Sequence, residues 1–386
     1  MSCAVNTGPD DRSLGVYIHF PWCIHKCPYC DFNSHPLRGS LQESAYLSAL
    51  QQDLSAQLAD LEQDAERTDK KISSVFFGGG TPSLFNPDTF TSMLRQLDPW
   101  LTTDAEITME ANPGTLEHKP LEGYRDAGIN RLSLGAQSFD PSKLAVLGRI
   151  HGADDIERSF TQARSAGFDN INLDLMYALP EQSSTGALED LSRAIALSPE
   201  HLSWYQLTLE PKTEFYARPP ALPGEDIVSE MEERGWLLLA DAGFQRYEIS
   251  AYARPGRMAR HNLNYWRFGN YLGVGAGAHG KFSRRGRIFR TTKPGQPRLY
   301  MAEPDRHSVQ PVPVEAVAGE FLLNALRLVD GVSFSTFTAR TGFSIDHLQP
   351  RWQRYVELGL LRSDRLAATA AGYRFLDSLL LEFINN

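Results

Sequence analysis

Apolar positions along this chain cluster in short runs set between longer amphipathic stretches. The runs at 16–20, 74–77, 107–110, 132–134, 171–175 and 202–207 are rich in β-branched and aromatic residues and read as strands. Between the first two, Tyr46, Leu47, Leu50, Leu54 and Leu58 recur at helical spacing, and later Asp140-Pro141 supplies an N-cap followed by a first-turn proline. Strands that alternate with helices pair in parallel, because each crossover must return the chain to the same edge of the sheet. Six such units are fewer than the eight of a closed barrel. The pattern therefore predicts an α/β fold, a partial (β/α)6 TIM-like barrel.

The pattern breaks after Ser283, where Arg284-Arg285-Gly286-Arg287 and a Pro-rich stretch from Pro294 to Pro313 read as a loop or linker rather than a core element. Helical spacing resumes at Val314, with Phe321, Leu322, Ala325 and Leu328 on one face, and 334–383 suggests short helices and a small hairpin of winged-helix-like outline. The expected organisation is a flexible tail over 1–13, a barrel over 14–283, a linker over 284–313 and a small, mainly helical C-terminal domain over 314–386.

Composition narrows the function. Hydrophobic residues at 42% and charged residues at 22% are ordinary for a soluble globular protein, and no apolar run is long enough to cross a bilayer. A net charge of −9 without a Lys/Arg stripe argues against nucleic acid, so the C-terminal module reads as a packing cap. The first 13 residues lack a basic region followed by an apolar stretch, so export is not expected. Of four cysteines, three fall within eight residues, the distribution of a metal site in a reducing compartment, and the cytoplasm is the expected location. Cys3 reads as a tail thiol.

The candidate chemistry lies in residues 17–33. Cys23, Cys27 and Cys30 have the i, i+4, i+7 spacing of a helix face, but Pro28 would cost such a helix roughly 3 kcal/mol, so the segment reads as a loop at the C-terminal end of the first strand. Parallel α/β folds bind ligands at that end. Zinc would require a fourth ligand, and His19, His25 or His35 could supply it. The C-x3-C-x2-C spacing instead suits a [4Fe–4S] cluster with one iron left open. The amino and carboxylate groups of S-adenosylmethionine can chelate that iron, where one electron can break the bond from the sulfonium to the 5′ carbon.

This loop resembles the radical-SAM superfamily, and the longer string resembles the group around oxygen-independent coproporphyrinogen III oxidase over nearly the whole chain. The resemblance implies that Cys23, Cys27 and Cys30 hold the cluster. It implies an S-adenosylmethionine site from Gly80, Thr81 and Pro82 in the glycine motif after the second strand, Glu110 at the ribose, and Gln137, Arg149 and Asp174 at later strand ends, with Tyr17 and Tyr29 flanking the nucleotide. Two features point to the haem-chaperone branch rather than to the oxidase. Phe32 stands where the oxidase has a further cysteine, with only about 16 residues before Tyr17. His261-Asn262-Leu263-Asn264-Tyr265-Trp266 matches that branch's HNxxYW motif. The resemblance thus implies haem as cargo, His261 as its leading ligand with His19, His25, His151 and His279 in reserve, respiratory-chain haem proteins as acceptors at the inner-membrane surface, and a homodimer. The alternative is an enzyme acting on a porphyrinogen. Gly273-Val274-Gly275-Ala276-Gly277 reads as a tight turn rather than a dinucleotide loop.

Overall fold

The computed structural model describes residues 13–63, 71–116 and 121–384. Of the tail expected over 1–13, residues 1–12, Cys3 included, lie outside the described residues, and Ser13 already belongs to the first strand. Six strands form the anticipated parallel series: β1 (Ser13–Phe20), β2 (Lys71–Gly79), β3 (Leu101–Ala111), β4 (Arg131–Gln137), β5 (Ile171–Tyr177) and β6 (His201–Gln206). Neighbours in sequence are neighbours in the sheet, and every pair is parallel.

The strands alternate with period two. Leu14, Val16, Ile18 and Phe20 of β1 and Ile171, Leu173 and Leu175 of β5 are buried in the main core, where Phe20 packs against Phe77, Phe85 and Phe90 at 4.6–6.1 Å between ring centroids. On β3 to β6 the opposite face is polar, with Glu106 and Glu110 on β3, Arg131 and Ser133 on β4, Asn172 and Asp174 on β5, and His201 and Ser203 on β6, and all but Glu106 line one cavity. A parallel sheet covered on both faces by helices would be apolar on both. This sheet instead curls its polar face around a cavity.

The chain then extends both edges. β7 (Gln245–Arg246) and β8 (Ala251–Ala253) add antiparallel to β6, whereas β9 (Asn270–Val274) adds parallel to β1 on the other side. Beyond β9 come β10 (His279–Arg284), β11 (Arg287–Thr292) and β12 (Ser308–Pro311), all antiparallel. The sheet order is β12-β11-β10-β9-β1-β2-β3-β4-β5-β6-β8-β7.

Residues 284–313 are therefore not a linker. Arg285 and Gly286, both at positive φ (50° and 69°), form the two-residue turn of a hairpin that pairs Arg284 with Arg287. The following Pro-rich stretch holds the helix Pro297–Ala302 and β12. It is anchored by a buried ion pair, Lys293 Nζ to Asp53 Oδ1 at 2.5 Å, with the Tyr300 hydroxyl donating to Asp53 Oδ2 at 2.8 Å. Gly275 (φ 104°) and Gly277 (φ 78°) make the expected turn, but Gly273 and Val274 end β9.

The C-terminal region is helical, with Val314–Ala325, Phe334–Thr341, Arg351–Glu357 and Leu376–Ile384 around a second core that includes Phe321, Phe337, Trp352 and Phe383. Its strand content is two isolated antiparallel bridges, Val332 with Leu366 and Leu361 with Ala368. No helix among the described residues is long and apolar enough to cross a membrane.

Candidate functional site

The cysteine loop leaves β1 as an irregular segment, not a helix, as Pro28 requires. Two residues, Trp22–Cys23, pair in parallel with His35–Pro36 and close the loop on itself. Lys26 Nζ completes the closure by donating to the carbonyls of Phe32 and Ser34, each at 3.1 Å. Cys23, Cys27 and Cys30 are unbridged and half-buried, and all three line a cavity of about 520 Å³. Among the described residues no three His, Cys, Asp or Glu side chains converge closely enough to hold a single metal ion. The sulfurs surround a space rather than a point. Burial pushes the Cys23 and Cys30 thiols up, so loading a metal there must release protons.

The glycine motif after β2 borders this cavity for a steric reason. Gly80 N–H donates to Phe20 O at 2.6 Å and Thr81 N–H to Trp22 O at 2.8 Å, and a Cβ on Gly80 would stand 2.6 Å from Trp22 O. Glycine here lets the β2 loop seat on the backbone of the cysteine loop itself. Gly80, Thr81 and Pro82 all line the cavity.

Glu110, Gln137, Arg149, Asp174 and Tyr29 converge on the same space. Glu110 Oε2 accepts from Gly79 N–H at 2.9 Å, yet burial first, and the Asp174 charge second, push its carboxyl up to about 8. Gln137 sits at φ 67°, where the pairing of β4 with β5 slips, and its Oε1 accepts from the Tyr205 hydroxyl at 2.7 Å. Strain at a cavity wall is a mark of functional positions. Asp174 accepts from Ser133 Oγ at 2.8 Å and Asn172 Nδ2 at 2.9 Å. Arg149 Nε is buried without a partner, a donor left for something the protein does not supply.

Tyr17 does not join them. It lines a second cavity of about 540 Å³, while Tyr29 lines the first, and Phe76, stacked on Tyr17 at 6.1 Å, belongs to the first cavity's wall. The two tyrosines expected to flank one nucleotide thus line different cavities, with Phe76 beside Tyr17 on the wall of the first.

The HNxxYW segment is also divided. It forms the short helix Arg260–Trp266, from which His261 and Asn262 face the first cavity while Tyr265 and Trp266 face the second. Asn264 is structural, donating to Asn270 O at 2.9 Å. The two cavities share the wall of Asp31 and the exposed Phe32. Of the reserve histidines, His19 and His151 spend both ring nitrogens on protein partners, whereas His25 lines the first cavity and His279 the second.

Sequence reasoning missed Arg131 and His201, which line the first cavity, and Glu106, whose Oε1 lies 3.0 Å from His261 Nδ1. Glu106 and Glu110 share a face of β3, four residues and so roughly 13 Å apart. Burial raises the Glu106 carboxyl's cost of ionising, but His261 and Arg131 outweigh it and hold the group down to about 2. The available signal was the polar residue at every second strand position.

Known proteins resemble this chain over most of its length. The radical SAM superfamily model matches residues 17–191 and the HemN C-terminal domain model residues 312–375. The heme chaperone HemW of Escherichia coli strain K12 is 46% identical over 378 residues, covering 96% of this chain and 98% of that protein. HemW of Haemophilus influenzae is 42% identical over 376 residues, with the same coverage of 96% and 98%. The solved coproporphyrinogen III oxidase of Escherichia coli shares the fold at a TM-score of 0.78 and 21% identity, over 97% of this chain and 90% of that one.

Proposed function

From the premise that the chain belongs to the radical SAM superfamily and, within it, to the family of the heme chaperone HemW, we propose that it binds haem and delivers it to respiratory-chain haem proteins, carrying a [4Fe–4S] cluster and S-adenosylmethionine. Cys23, Cys27 and Cys30 are the cluster ligands in this reading. The donor set fits, because three half-buried thiols border one open cavity beside an unpartnered buried guanidinium nitrogen. When bound, cluster and S-adenosylmethionine together supply reductive sulfonium chemistry.

The chain's own residues bind and orient. Arg149 Nε takes the cofactor's carboxylate, Glu110 and Asp174 accept from the ribose hydroxyls, the Gly80-Thr81-Pro82 turn shapes the methionine end, and Tyr29 and Gln137 border the nucleotide. His261 is the axial ligand proposed for haem. One observation carries the assignment: a single barrel cavity is lined by both the cysteine loop and the motif's histidine.

The test is anaerobic purification followed by haem titration. A brown chain containing iron and sulfide, with a Soret band that saturates at one haem per chain, is expected. Colourless zinc protein, or efficient conversion of coproporphyrinogen by the same sample, overturns the reading.

A further inference from the structure

Glu106 is an ionisable side chain near the middle of a barrel strand, only 7% exposed, and nothing in the cluster or S-adenosylmethionine site uses it. Every oxygen of its carboxylate is committed to one short helix. Oε2 accepts from Arg260 N–H at 3.0 Å; Oε1 accepts from His261 N–H at 3.1 Å and from His261 Nδ1 at 3.0 Å. Arg131 Nε lies 4.0 Å from Oε2. The Phe76 ring, 4.2 Å away between centroids, closes the side of the imidazole.

A carboxylate can only accept, so the hydrogen between Glu106 and His261 sits on Nδ1. The other nitrogen is then a bare lone pair. The ring's hydrogen bond runs through Nδ1 and leaves Nε2 for the first cavity, which the ring lines. The imidazole is thus fixed in tautomer, in rotation and in direction, with its metal-binding atom turned inward.

We propose that Glu106 is the positioning residue that makes His261 an iron ligand: it holds Nε2 toward the cavity, and its charge strengthens that nitrogen's donation to the iron of a haem. This rests on the haem-carrier reading above. Partners on the far nitrogen of a ligating histidine set its orientation and basicity, and their loss costs 10- to 100-fold in metal affinity. A more basic ligand favours ferric over ferrous iron, so the same contact lowers the potential of the bound haem.

The experiment uses the full chain with its cluster reconstituted. Haem affinity by Soret titration and the midpoint potential of bound haem are read for the unaltered chain, His261→Ala, Glu106→Gln and Glu106→Asp, with melting temperature and iron content measured on each sample. Glu106→Gln, which keeps the shape and removes the charge, is expected to weaken haem binding about 10- to 100-fold and to shift the midpoint positive. Glu106→Asp keeps the charge and is expected to restore the potential even where its shorter reach lowers affinity, a split that a merely structural role would not produce. No Soret band from the unaltered chain overturns the carrier reading and this inference with it. A Soret band with unchanged affinity in His261→Ala removes the ligand and the inference but leaves the carrier standing. Loss in His261→Ala alone, with Glu106→Gln matching the unaltered chain in affinity and potential, overturns the role of Glu106.

Discussion

Arg149 stands against Cys27, with Nη1 3.7 Å from the Sγ and Nη2 donating to the Gly135 carbonyl at 2.8 Å. One edge of the guanidinium is thereby tied to β4 and another to the cysteine loop, 122 residues away in the chain. The unpartnered Nε is the remaining donor. Arg149→Leu is expected to keep its iron, because the cysteines are untouched, and to lose at least about tenfold in S-adenosylmethionine affinity, as a charge-assisted bond to a carboxylate is removed. Calorimetric titration of the reconstituted protein checks this. Equal affinities would place the cofactor's carboxylate elsewhere.

Glu110 gives a pH prediction of definite sign. Its folded carboxyl is pushed up to about 8, whereas the unfolded carboxyl loses its proton near 4.5. Between these values the folded chain holds a proton that the unfolded chain has released, so stability falls as pH rises through the window. Glu110→Gln cannot titrate. Its melting temperature is expected to fall less steeply than that of the unaltered protein from about pH 5 to 8, and its weaker cofactor binding should lose the rise with pH that an ionising acceptor confers. Parallel melting curves across that range would show that Glu110 is already ionised.

Gly80 tests the steric reading of the glycine motif. A Cβ there meets Trp22 O at 2.6 Å and Phe20 O at 2.8 Å, both backbone atoms that cannot rotate away. Gly80→Ala is expected to cost about 1–3 kcal/mol, the range for overpacking, and to lower cluster incorporation because the cysteine loop must shift. Gly80 is not at positive φ, so its cost is steric, whereas Gly167, at φ 88° and with nothing within 4 Å of its Cβ, shows what backbone strain alone costs. Iron content and melting temperature of the two variants separate displacement of the loop from backbone strain.

The parallel strands and the cysteine loop were legible because they are local: runs of β-branched residues between amphipathic helices, and a proline that forbids a helix. What failed was non-local. β9 pairs with β1 across some 250 intervening residues, and its Gly-ended sequence resembles a turn until the partner strand is present. The hairpin at Arg285-Gly286 was hidden in a charged, Pro-flanked stretch that has the composition of a linker. Glu106 reads as one more strand residue until His261 arrives, 155 positions later, to take its charge. The HNxxYW residues are contiguous in sequence, but their helix stands in the partition between two cavities, and no spacing rule reveals a partition.

His19, on the wall of the second cavity, ties β1 to the cysteine loop through the hydrogen bonds of its buried ring. Its Nδ1 bonds the Tyr17 hydroxyl and its Nε2 the Asn33 carbonyl, both at 2.9 Å, while Asn33 Nδ2 donates to Ala276 O and Gly295 O. Burial, chiefly, pushes this imidazole down to about 4, and His151 is likewise driven to about 4. The folded chain keeps both rings neutral at pH values where the unfolded chain, titrating near 6.5, has taken up protons, so stability is lost as pH falls from about 6.5 toward 4. His19→Gln removes one of the buried rings held below the free range, leaving His151, His201 and His261. Its unfolding midpoint in denaturant is expected to be lower than that of the unaltered chain at pH 7 but to drop less between pH 7 and about 5, and its iron loss over the same interval should be shallower. An equal drop in both proteins would assign the acid sensitivity to the other buried histidines, His151, His201 and His261, and detach it from the cysteine loop.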